Sequence, residues 1–290
     1  MSLRRRTLFA LATSDALEAL VLRVRPLRDA ARRASHRYVA GEGVPEAAMV
    51  ARRLAAEGLG VSLDRFGENA RSAHEADAAA DSIASLAAVL HDLPGPPFLS
   101  VDLSHLGVDL GHEACLARLR RIAERLPAGA RVQVGAEEAR RADAIQAVVL
   151  DAAAAGVPLD VTLQANLRRS PEDAERLVAG GAGVRLVKGA YLEPPEIAHP
   201  WGPPTDDAFV ALAGRLADLG ADVALATHDP DVRDRALEAG GAARLELLLG
   251  VRDEDARTLA RDGRHVRLYV PFGPRWLRYW ARRLAESQGA

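Results

Sequence analysis

Beyond residue 57 the chain repeats one pattern. A short run of apolar and β-branched residues is followed by a longer run in which apolar positions recur every three or four residues among Arg, Glu and Asp. Eight short runs can be placed, at 61–66, 98–103, 131–135, 159–164, 184–188, 222–227, 245–249 and 265–270. The amphipathic runs between and after them predict helices at about 69–92, 112–126, 138–155, 171–178, 205–219, 230–239, 253–262 and 274–287. Residues from about 4 to 57 read as helical throughout. Leu17, Leu20, Val21 and Val24 share one face, and Ala48, Val50, Leu54 and Ala55 another, with a junction near 41–45.

Local chemistry punctuates this pattern. Ser170 before Pro171, Thr205 before Asp206, and Asp229 before Pro230 predict helix caps. Gly180, Gly181, Gly220, Gly240 and Gly241 fall where helices should stop. Eight strand–helix units predict a (β/α)8 TIM-type barrel with N-terminal helices. An open doubly wound sheet would favour a glycine-rich turn after its first strand, and none is there. The expected division is 1–57 as a helical segment packed on the barrel and 58–290 as the barrel. The helices would cover its base or pair with a second copy.

Composition narrows the classes. With 290 residues, 49% of them hydrophobic, the chain can build one large core. A net charge of -2 gives no reason to expect a nucleic-acid partner. The single cysteine, Cys115, excludes a disulfide framework and suits the cytoplasm, with at most peripheral contact at the inner face of the cell membrane. The first 21 residues resemble a signal peptide, but Asp15 and Glu18 interrupt the apolar run and favour a helix. The scattered histidines predict no metal site. Lys188 is the only lysine among 38 basic residues, which makes it a candidate for a role that needs an amine.

In such barrels chemistry sits at the C-terminal ends of the strands. There the sequence places Asp64, Asp102, Gly135, Gln164, Asn166, Arg185, Lys188, Tyr191, Thr227, His228 and Tyr269. The set is rich in hydrogen-bond donors and has no Ser or Cys beside an obvious base. A large anionic cofactor or an acidic substrate fits it. On the last helix, Arg282 and Arg283 could grip a carboxylate in bidentate fashion or lie in solvent.

Several segments, in order, resemble the proline dehydrogenase family. They are RYVAGEGVPEA, LDRFGENA, QANLRRSPEDAERL, VRLVKGAYLEP, LATHD and YVPFGPRWLRYWARRLAE, spanning about 37–290. The resemblance implies FAD at the barrel mouth and oxidation of L-proline to Δ1-pyrroline-5-carboxylate, by hydride transfer to flavin N5. A quinone or another acceptor would reoxidise the flavin. It places Gln164, Arg185, Val187, Lys188, Gly189, Ala190, Thr227, His228 and Glu286 at the cofactor. It places Arg282 and Arg283 on the substrate carboxylate, and Tyr191 and Tyr269 against the substrate ring.

The departures cluster at the substrate. Val101-Asp102-Leu103-Ser104 stands where the family usually has V-K-L-S, so Asp102 replaces a lysine. Gly135 replaces an aspartate that pairs with that lysine, and Asn166 replaces a tyrosine. Two readings stay open. Asp102 takes over from the missing aspartate and proline remains the substrate, or the roomier pocket accepts another cyclic or secondary amine. Two further readings are a Schiff-base lyase built on Lys188 and a non-catalytic descendant of the family.

Overall fold

The computed structural model describes residues 15–241 and 243–287, without the side chains of 15–18, 282 and 284–287. Eight parallel strands close into a barrel in sequence order: β1 (Gly60–Arg65), β2 (Phe98–Val101), β3 (Arg131–Val134), β4 (Leu159–Gln164), β5 (Gly183–Val187), β6 (Val223–Ala226), β7 (Arg244–Leu248) and β8 (Val266–Phe272). The predicted barrel is therefore present, with ends shifted by one or two residues. β8 runs past its expected end through Pro271. A proline lacks an N–H, but the Pro271 carbonyl accepts from Ala40 N at 2.9 Å.

Alternation along the strands builds two cores. Outward residues such as Leu63, Leu99, Val132, Val161, Val184, Leu225, Leu247 and Leu268 are buried beneath the helices. Inward residues are largely polar. Ser62 donates to Gln133 Oε1 at 3.1 Å, and Gln133 Nε2 donates to Glu246 Oε1 at 2.7 Å. These bonds join β1, β3 and β7, which are not neighbours, so they cross the interior. Glu246 also receives Arg185 Nε at 2.5 Å and the Arg267 guanidinium. A buried carboxylate so surrounded avoids the several kcal/mol that an unpaired charge costs.

The helices are α1 (Asp15–Arg23), α2 (Arg25–Ser35), α3 (Val44–Ala56), α4 (Ala73–Ala84), α5 (Ala87–Leu90), α6 (His112–Ala123), α7 (Ala142–Ala154), α8 (Ser170–Ala179), α9 (Pro203–Asp218), α10 (Pro230–Gly240), α11 (Asp253–Arg261) and α12 (Trp276–Ser287). The helix expected at 69–92 starts later and is two: Ser72 caps α4 by accepting from Glu75 N at 3.2 Å, and the helix breaks at Ser85 and Leu86 before α5. Asp229 caps α10 as its sequence predicts, accepting from Asp231 N and Val232 N. Ser170 and Thr205 do not cap. Both lie inside their helices, and their hydroxyls donate backward, to Gln164 O at 2.5 Å and Pro200 O at 2.9 Å.

The eighth unit departs from a simple repeat. α3, not α12, packs against β8 and β1. The chain from α2 to α3 is tied to the C-terminal ends of β7 and β8, through Arg37 Nε to Gly250 O and Gly273 N to Gly41 O, both 2.9 Å. α12 packs instead on α2, around Tyr38, Val39, Trp276 and Leu277. That placement brings the last helix over the mouth.

Candidate active site

Two rims face each other across the mouth. Gln164 ends β4, and Arg185 and Val187 lie on β5, with Lys188, Gly189 and Ala190 in the turn after it. Thr227 and His228 follow β6. Register pairs Gln164 with Val187 and Val187 with Ala226, so these expected cofactor residues form one continuous rim. Opposite them stand Asp64 on β1, Asp102 after β2 and Tyr269 on β8.

The second rim is acidic. Tyr269 donates its hydroxyl to Asp64 Oδ2 at 2.6 Å. Burial pushes the Asp64 carboxyl up to about 6, although that bond and Arg185 pull it down. Asp102 is driven well above the ordinary carboxylate range by burial and by the neighbouring Asp64, Glu137 and Glu68. Two carboxyls in one low-dielectric corner cannot both ionise freely. Burial likewise holds Tyr269 in its protonated form. Glu137 is buried as well, but Ser104 N at 2.8 Å and Arg141 Nη1 at 3.1 Å satisfy it.

Gly135 explains how Asp102 fits. A Cβ at position 135 would lie 2.0 Å from Asp102 Oδ1. The Asp102 carboxylate thus fills the space that a side chain at 135 would enter. A second close approach sits on the other rim. Gly189 has φ +112°, and a Cβ there would strike the Asn166 side chain at 2.1 Å.

Arg185 joins the rims. Its Nε is taken by Glu246, its Cζ lies 5.8 Å from the Tyr269 ring centroid, and Asp64 and Asp102 feel its charge. Lys188, expected to supply a compact point charge or an amine, is held as an ion pair. Its ammonium lies against Asp206 on α9 at 2.5 Å and Asp229, the cap of α10, at 3.1 Å. Tyr191 is half-buried in the loop after β5. Arg283 lies 5.1 Å over the Tyr279 ring, and its charge helps depress His228. The side chains of Arg282 and Glu286 lie outside the described residues.

The rim of β4 to β6 carries two buried polar atoms without a protein partner. Burial and nearby arginines push His228 down to about 4, so the ring is neutral. Its Nε2 accepts from Leu248 N at 3.1 Å, which puts the proton on Nδ1. That Nδ1 is buried without a protein partner, as is Asn166 Oδ1. A donor and an acceptor left unpaired inside a protein are expensive unless a ligand completes them. Beside the close-approach glycine and Arg185, they fit the edges and phosphates of a dinucleotide such as FAD.

Sequence reasoning placed Asp64 at a strand end without giving it a role, and did not assign Glu246 or Tyr279 to the site. Strand alternation carried the signal for the first two, since a carboxylate two residues from an inward Ser or Arg shares its face. Tyr279 could not be found that way, because it comes from α12. Its ring lies 5.1 Å from Phe66 and 6.5 Å from Tyr269. Phe66 also walls a cavity of about 680 Å³ lined by Arg65, Glu68, His105 and Arg275, which adjoins the acidic rim.

Comparison with known proteins identifies the family. The profile of the proline dehydrogenase family matches residues 47–290. Proline dehydrogenase 1 of Bacillus subtilis (strain 168) is 30% identical over 263 residues, covering 87% of this chain and 86% of the relative. Proline dehydrogenase of Deinococcus radiodurans is 30% identical over 266 residues, with the same coverage. Among solved structures, proline utilization A of Bdellovibrio bacteriovorus superposes with a TM-score of 0.76 at 21% identity, over 87% of this chain. That of Bradyrhizobium japonicum gives 0.75 at 25% identity over 94%. The chain spans about a third of the length of those two proteins, at 32% and 33%. Barrel and family profile converge, and the chain belongs to the proline dehydrogenase family, a family of oxidoreductases.

Proposed function

We propose that the protein oxidises L-proline to Δ1-pyrroline-5-carboxylate with FAD at the barrel mouth, passing electrons on to a quinone or another acceptor. FAD, when bound, supplies at N5 the hydride acceptor for the carbon beside the ring nitrogen. Gln164, Arg185, Val187, the 188–190 backbone, Thr227 and His228 would hold it, with Glu286 from α12. Arg185 would place a cation beside it, which favours a reduced anionic ring.

The remaining tasks belong to the chain's own side chains. Arg282 and Arg283 would clamp the substrate carboxylate and fix the ring, a positioning effect that can contribute several kcal/mol. Tyr191 and Tyr269 would flank it. The substrate nitrogen must lose a proton before a C=N bond can form. Asp64 and Asp102 offer carboxyls raised toward neutrality, which makes them better proton acceptors than ordinary carboxylates.

The observation that carries this reading is the place of the Asp102 carboxylate, in the space a residue at 135 would occupy. A carboxylate contributed by strand three in the family is here contributed by strand two. A second reading draws on the same pocket: the loss of the lysine and the small Gly135 and Asn166 would suit a bulkier cyclic or secondary amine. The Lys188 lyase has less support, because two carboxylates engage the ammonium. A non-catalytic role has less support, because the mouth keeps two buried carboxyls, Asp64 and Asp102, with raised proton affinity.

A swap of residues separates the first two readings. If proline is the substrate, the double variant Asp102→Lys with Gly135→Asp should keep kcat/KM for L-proline within about tenfold of the wild type, while Asp102→Lys alone loses more than about a hundredfold. A large gain on proline in the double variant would mean that the natural pocket serves another amine.

A further inference from the structure

Barrel interiors of this type are packed mainly with branched apolar side chains. Here Gln133 on β3, Arg185 on β5, Glu246 on β7 and Arg267 on β8 meet in the interior instead. The Glu246 side chain is 0% exposed, that of Arg267 6% and that of Arg185 14%. β6 makes the meeting possible. It lies between β5 and β7, and its residue in register with Arg185 is Ala224. Register partners in a parallel pair share a face, so the inward side chain beside Arg185 is a methyl group. The guanidinium therefore reaches past β6, and its Nε donates to Glu246 Oε2 at 2.5 Å.

Two cations share this one carboxylate. The next buried carboxylate, Asp160, has its oxygens taken by Arg131 and Arg244, both at 2.7 Å, and has none to spare. Burial, Arg244 and Arg185 push Arg267 down to about 9, as cations crowded together would be. The group around Glu246 thus carries one surplus positive charge in a dry interior. Replacing a buried ion triad by apolar side chains is often neutral or stabilising, so stability alone does not call for this one.

Arg185 brings the surplus to the mouth. Glu246 takes its Nε, and its Nη groups make no hydrogen bond among the described residues. The groups that respond to its charge are Tyr269, Tyr279, Asp64 and Asp102, all at the mouth. Glu246 therefore acts on Arg185 in two ways. It fixes which edge of the guanidinium is left over, and it offsets part of the charge that this edge presents. Arg267, sharing the same carboxylate, weakens that offset. A flavin becomes more negative when it is reduced, so positive charge beside it favours the reduced form.

Resting on the reading that FAD binds at this mouth, we propose that Glu246 and Arg267 are positioning residues that set the flavin's reduction potential through Arg185. Glu246 lowers the potential and Arg267 raises it, whichever amine is oxidised.

Potentials of the purified flavin-loaded proteins test this, measured without oxygen against a reference dye at about pH 7, below the value of Arg267. Arg267→Gln leaves Arg185 and Glu246 as a balanced pair and should lower the potential. Glu246→Gln keeps an acceptor for Arg185 Nε, removes the negative charge and should raise it. Each shift should be about tenfold in the equilibrium with the dye, which is about 30 mV for a two-electron couple. The double variant restores the net charge and should lie within about twofold of the wild type. If Glu246→Gln does not fold, Arg267→Gln and the double variant still decide. Shifts in the same direction in both single variants, as a loosened site would give, overturn the proposal. So does FAD bound at the wild-type potential in every variant. A wild type that binds no FAD overturns the underlying reading as well.

Discussion

At the scale of single residues, the site depends on where carboxyl protons sit. The Asp64 carboxyl lies at about 6 in the fold against 3.8 for the free side chain. A raised value means that its stabilising contribution is complete below about pH 4 and is lost as pH rises through 6. Asp102 acts in the same direction. Asp64→Asn keeps an oxygen for the Tyr269 hydroxyl and removes the ionisation. In the flavin-free protein it should add about 2 kcal/mol at pH 8 and almost nothing at pH 4, read by denaturant titration. Equal effects at both pH values would mean that Asp64 is not held up by burial. Gly189→Ala tests the opposite rim. A Cβ there meets Asn166 at 2.1 Å from a positive φ, so flavin retention should fall sharply. Adding Asn166→Ala should recover only part of it, because the strained φ remains.

At the scale of elements, the strands were readable because each was a short apolar run bounded by turn residues. Seven of the eight units follow the expected strand-then-helix order. The eighth does not, because nothing in the periodicity of 44–56 tells an amphipathic helix which strands it will meet. α3 packs on β8 and β1, so the barrel wall is incomplete without a segment that the sequence assigns to a separate N-terminal part. A chain of residues 58–290 should therefore expose that wall and fail to unfold cooperatively. A sharp transition near the full-length melting temperature would show that the barrel closes without α3. The caps were readable only where geometry left no alternative. A proline follows both Asp229 and Ser170, so it does not decide the cap: the Asp229 carboxylate can only accept and takes the Asp231 and Val232 amides, whereas the Ser170 and Thr205 hydroxyls donate to backbone carbonyls. Asp102 was legible as a departure from a motif. Its fit with Gly135 was not, because that contact crosses between strands.

At the scale of the whole molecule, charge is arranged in layers along the barrel axis. The interior around Glu246 is a network of hydrogen-bonded and oppositely charged groups. The mouth above it pairs buried, unmatched polar atoms on one rim with carboxyls of raised proton affinity on the other. Such an arrangement is costly when empty and stabilised when filled, so bound flavin should raise the melting temperature. The most direct test is anaerobic. The purified protein, carrying FAD, is mixed with L-proline without oxygen, and the flavin absorbance is followed. The account predicts rapid bleaching, abolished in Arg283→Met. A flavin that dithionite reduces and L-proline leaves oxidised would contradict it.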